Sequence, residues 1–136
     1  MSRLPLFFLV AAAACLVAGV TLGIGMGIAH DFQLAPVHAH TNLVGWTSLS
    51  LMGLVHRTYP ELCLNRTAAL AQFGMSTASA LAFPFGIYLA VVHGQPALAI
   101  AAGLVWMAGA VLFLVRLVLL AIGRAPRRLP LMQPAE

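Results

Sequence analysis

The residues best able to do chemistry in this chain are its five histidines, and two of them stand two positions apart in His38-Ala39-His40-Thr41-Asn42-Leu43-Val44-Gly45-Trp46. Imidazole is the common protein ligand for heme iron, copper and zinc. On a helix, two positions correspond to about 200°, so His38 and His40 are expected to face opposite sides and to serve different sites. His40 follows Pro36 by four residues, about 6 Å along a helix, which sets it at a depth where a heme iron could be held among apolar groups. His30, His38 and His93 are shallower, and with Asp31 nearby they are candidates for a three-imidazole metal site. The metal-ligand candidates are therefore His40, His38, His93 and His30. Thr41 and Asn42 could support a histidine by hydrogen bonding. Gly45 permits close approach, and Trp46 could pack on a flat cofactor. Each has a plain structural alternative: a helix-end histidine can be a solvated cap, and Asn42 or Trp46 a packing or interhelical contact.

Other chemistry is thinly represented. The three acids, Asp31, Glu61 and Glu136, all fall outside the apolar stretches, so no carboxylate pair is available there. No Ser-His-Asp set, glycine-rich phosphate loop or H-E-x-x-H helix is present. Cys15 and Cys63 form no C-x-x-C, and the methionines show no M-x-x-M spacing. No catalytic residue is assigned.

The elements that position the histidines follow from composition. The chain has 136 residues, of which 62% are hydrophobic and 7% charged. Soluble domains carry about 25% charged residues, so a bilayer is the expected environment. Hydropathy divides residues 1–123 into four stretches near 4–29, 37–58, 67–92 and 96–122, each close to the ~20 residues needed to span a bilayer. The expected fold is all-α, a polytopic four-helix membrane bundle followed by an Arg/Pro-rich tail at 124–136. The first stretch is long for a cleaved signal peptide, and its Gly19, Gly23 and Gly27 share one face at small-xxx-small spacing. Pro84 is expected to kink the third helix.

The seven basic residues are all arginines. Four spans place Arg3, Arg57, Arg66, Arg124, Arg127 and Arg128 on one side, with Arg116 expected to snorkel toward it. That asymmetry reports topology and not nucleic acid. It makes both termini cytoplasmic in a bacterial-type inner membrane and gathers His30, His38, His40 and His93 at the outer end. His56 falls at the opposite end.

The run from His38 to Trp46 resembles a heme-ligand helix of heme-copper oxidase subunit I and its nitric oxide reductase relatives. In that family one such helix begins near the outer face with a histidine that ligates the low-spin heme, and in one branch Thr-Asn follows, matching His40-Thr41-Asn42. Another helix there carries His-x-His facing two hemes, the spacing of His38 and His40. The large subunit is a pseudo-threefold array of four-helix units, so this chain resembles one unit standing alone. The resemblance implies heme b held by His40, with His38, His93 or another copy's histidine as second ligand. Asn42 and Trp46 would stand near the heme. It also implies a homo-oligomer, a trimer among the options. The chain offers no cross-linked tyrosine–histidine pair and no intramembrane carboxylate, so the resemblance does not reach oxygen reduction or proton pumping.

Three readings stay open on the sequence. One is a b-type heme protein for electron transfer or diatomic gas binding. Another is an outer-side copper-binding protein. The third is a cofactor-free accessory or assembly subunit of a respiratory complex. A cofactor carrier or subunit is expected over a complete oxidase or reductase.

Overall fold

The computed structural model describes residues 3–124, and those residues form helices and turns with no strand. The first helix is Leu4–Ala29, with a proline in its first turn, where a missing N–H costs nothing. It ends at His30, whose φ of 51° is left-handed, while the Asp31 N–H reaches back to the Met26 carbonyl. The second is a continuous helical rod over residues 35–58. It comprises an α segment Ala35–His40, a π segment Thr41–Ser48 and an α segment Leu49–Thr58. A short 3-10 turn, Pro60–Cys63, leads to the third helix, Arg66–His93. Asn65 caps that helix by accepting from the Ala68 N–H at 3.1 Å. Gly94, at φ 66°, ends it, and the fourth helix is Ala97–Ala121.

The first, third and fourth helices are each long and apolar enough to cross a membrane. These match the expected stretches to within two residues. The second rod is not among those three. It starts two residues before the expected 37 and carries three histidines, an asparagine and an arginine. The third helix runs through Pro84 as one element. The expected tail beyond Arg124 lies outside the described residues.

The packing is inverted relative to a water-soluble bundle. Leu6, Val17, Ile28, Leu104, Leu114 and many other large apolar side chains are exposed, while His56, Gln72, Ser76, Ser79 and Arg116 are buried. Polar groups gather where they can pair with one another, and apolar faces turn outward, as in a chain surrounded by hydrocarbon. The buried positions of the first helix, Leu4, Phe8, Ala12, Cys15 and Gly19, recur every three or four residues and define one face. The fourth helix buries only Ala102, Gly109 and Arg116, seven residues apart, so its contact seam is narrow.

The first helix packs along the second and the third along the fourth, and the third also touches the first two. Close approach depends on glycine at two crossings. A Cβ on Gly45 would come within 2.7 Å of Cys15, and one on Gly86 within 2.5 Å of the Ala99 backbone. All four helices thus run between one end that bears His30, His38, His40 and His93 and another that bears Arg3, Arg57, Arg66 and Arg124.

Candidate functional site

His38 and His40 stand on opposite sides of the second rod, as their spacing requires. The His38 Nδ1 lies 2.8 Å from the Gly19 carbonyl of the first helix. A carbonyl only accepts, so Nδ1 carries the proton. Gly23 makes room for the ring, since a Cβ there would meet the imidazole at 2.7 Å. Asn42 serves this same histidine. Its amide donates to the His38 carbonyl at 2.9 Å, and its side chain fills the space left by Gly19. Two of the three aligned glycines therefore seat the second rod, while Gly27 faces open space.

His40 turns instead toward the third helix. Its ring meets Phe83 edge-on with centroids 5.1 Å apart. Its Nδ1 is 2.7 Å from the Pro36 carbonyl, one turn back in its own helix. That bond fixes the proton on Nδ1 and leaves Nε2 as a lone-pair nitrogen, which makes no hydrogen bond among the described residues. The ring is half-buried. This is the state in which an imidazole binds a metal: one nitrogen anchored to a carbonyl and the other free.

The residues just after His40 form the π segment. The Thr41 hydroxyl donates to the Val37 carbonyl at 2.8 Å, and the Ser48 hydroxyl to the Leu43 carbonyl five residues back, also at 2.8 Å. π turns inside α-helices occur often at functional sites. Trp46 packs against the buried core cluster and Thr41 bonds within its own helix, so both support the rod here.

The remaining outer-end histidines are exposed. His30 is the left-handed cap of the first helix, and His93 meets Tyr88 edge-on at 5.8 Å. Ten helical residues, about 15 Å of rise, separate Phe83 from His93. His93 thus lies well outward of the ring that touches Phe83. Among the described residues, no three of His, Cys, Asp and Glu come together as a group that could hold a metal ion. The expected trio of His30, His38 and His93 is accordingly not assembled within one chain, because the His38 imidazole is lodged against the first helix.

The histidine that sequence reasoning weighted least, His56, has the most elaborate surroundings. It is 1% exposed and stacks between Phe8, at 5.2 Å, and Phe113, at 5.9 Å. Its Nδ1–H points to the Met52 carbonyl at 2.8 Å, and its Nε2 accepts from Arg116 at 3.3 Å. Arg116 does not snorkel outward. It is buried, and a second guanidinium N–H donates to the Leu62 carbonyl. About two turns away along the fourth helix, the Gln72 amide donates to the Gly109 carbonyl, and also to the Ser76 hydroxyl, both at 3.0 Å. The available signal was the depth of Arg116, five residues inside the end of its helix, where a long side chain reaches inward as easily as outward. Its partners, 54 and 60 residues away, could not be read from spacing.

No protein-family model, curated protein or solved structure matches this chain. The likeness to the heme-copper oxidase group therefore stands on the residues of the second rod alone.

Proposed function

We propose that this chain is a membrane-embedded heme b protein in which His40 supplies an axial ligand through Nε2. The observation that carries the reading is the state of that imidazole: anchored at Nδ1 by the Pro36 carbonyl, unengaged at Nε2, and half-buried beside the apolar Phe83. Such a ring offers the lone pair that an axial ligand needs. Heme b would supply a redox-active iron for electron transfer, or an open position for a gas such as nitric oxide or oxygen. The chain's own contribution is to orient the imidazole and keep its surroundings apolar. Within one chain His38 faces the other way and His93 lies well outward. The second ligand, where there is one, would come from another copy, which agrees with a homo-oligomer. The gathering of arginines at one end favours cytoplasmic termini in a bacterial-type inner membrane.

A second reading has its own support. His38 bonds across to Gly19 and His56 bonds to Arg116, so two of the three histidines in the second rod already act as contacts between helices. That is what a cofactor-free accessory subunit of a respiratory complex would use them for. The copper reading would need imidazoles from more than one copy.

Visible spectra of protein purified in mild detergent, oxidised and then dithionite-reduced, separate these readings when paired with metal analysis. A Soret band with sharp reduced α and β bands, lost in His40→Ala and kept in His38→Ala, is the expected result. Colourless protein after expression with ample heme would sink it. Copper in that colourless sample would favour a metal site between copies, and its absence the accessory role.

A further inference from the structure

A groove of about 540 Å³ opens at the arginine-bearing end, between the first and third helices. That volume lies within the ~300–1,000 Å³ typical of small-molecule sites. Leu4, Phe7, Leu70 and Phe73 form its apolar walls, and Arg3 and Arg66 stand at its mouth. Phe7 and Leu70 are 52% and 49% exposed, so the groove opens sideways, where hydrocarbon would lie in a bilayer. Its chemistry is two-part: an apolar slot continuous with the lipid phase, ending at two cations.

Among the described residues the cations are uncommitted. Arg116 is bonded inside the bundle, whereas neither Arg3 nor Arg66 makes a side-chain hydrogen bond or ion pair among the described residues. No acid among the described residues lines the groove. The two guanidiniums come from the beginnings of two long helices, whose dipoles both favour negative charge at this end. They sit at the depth where lipid phosphates lie if the apolar helices span the bilayer. A soluble anion would use the arginines and leave the apolar walls unexplained, and a neutral lipid would use the walls and leave the cations unexplained.

We propose that this groove is a binding site for one anionic phospholipid, with its phosphate held by Arg3 and Arg66 and an acyl chain along Phe7, Leu70 and Phe73. The site needs only that the chain spans a membrane, and it stands apart from the heme reading. Basic pockets between membrane helices take anionic headgroups in this way.

Native mass spectrometry of full-length protein, released from bilayers of mixed phosphatidylglycerol and phosphatidylcholine, tests it. The wild type is expected to retain one phosphatidylglycerol in preference to phosphatidylcholine. Each arginine near a membrane surface contributes about fivefold in affinity, so Arg3→Gln with Arg66→Gln should cut retention about 30-fold. Arg57→Gln, at the same end but outside the groove, should leave it unchanged. Leu70→Trp, which fills the slot and keeps both charges, should also abolish retention, and it decides the matter if the double variant fails to fold. Equal retention of the two lipids, equal loss in Arg57→Gln, unchanged retention in Leu70→Trp, or displacement by millimolar inorganic phosphate alone would each overturn the proposal.

Discussion

His40 and His56 make the same local hydrogen bond and end in different circumstances. Each sends its Nδ1–H to a carbonyl four residues earlier, Pro36 for one and Met52 for the other, at 2.7 and 2.8 Å. Each therefore presents Nε2 outward from the helix. At His56 that nitrogen meets Arg116, and aromatic rings cover both faces. At His40 it makes no hydrogen bond among the described residues, and the ring meets Phe83 edge-on. The backbone bond sets the tautomer in both. What other helices bring to the second nitrogen decides whether the imidazole is a strut or a ligand in waiting. The buried pair His56 and Arg116 is engaged within the bundle, while His40 keeps one nitrogen in reserve.

That contrast can be broken by substitution, with thermal or denaturant unfolding in detergent as the readout. Phe8→Ala is expected to have the largest effect. The ring is fully buried, stacks on His56 and meets Phe73 edge-on at 5.0 Å, so its removal should cost about 3–5 kcal/mol. His56→Ala should follow at about 2–4 kcal/mol, since it opens a cavity and deprives the buried Arg116 of an acceptor. It should leave any heme spectrum intact; loss of the Soret band here but not in His40→Ala would invert the assignment of the two ends. Gly45→Ala forces a Cβ against Cys15 and should cost about 1–3 kcal/mol. His40→Ala should cost about 1 kcal/mol or less, the worth of one edge contact and a local bond, while removing heme. A cost like that of His56→Ala would mark it as structural. Gly27→Ala meets nothing within 4 Å and should be neutral, or stabilise by up to about 1 kcal/mol through helix propensity.

The helix limits were legible because hydropathy and the punctuation at His30-Asp31, Tyr59-Pro60 and Gly94-Gln95-Pro96 act locally. The opposed faces of His38 and His40 were legible because angular spacing on a helix is arithmetic. The glycine face of the first helix was legible at Gly19 and Gly23, where small residues predict close approach, and not at Gly27, where no neighbour arrives. The π segment was not legible, since composition carries no sign of which carbonyl an N–H selects. Nor was the His56 site, because Phe8, Phe113 and Arg116 join it only through tertiary packing. A charge five residues inside a helix end satisfies an outward or an inward reading equally from sequence, and here the Leu62 carbonyl and His56 take it inward.

The π segment, Thr41–Ser48, also carries a consequence for comparing chains. A π turn closes its hydrogen bonds over one more residue than an α turn. The spare residue rotates everything beyond it, so the segment is a phase shifter between the two ends of the rod. Straightening the segment to α geometry with all its residues kept would swing His56 by about 100° away from Arg116, whereas deleting one residue there, such as Leu43, would restore α geometry with both ends in phase. A related protein with an unbroken α-helix in this position would keep both histidine sites only by being one residue shorter between them. An alignment that refuses a gap within 41–48 would then pair every residue of one half with the wrong face.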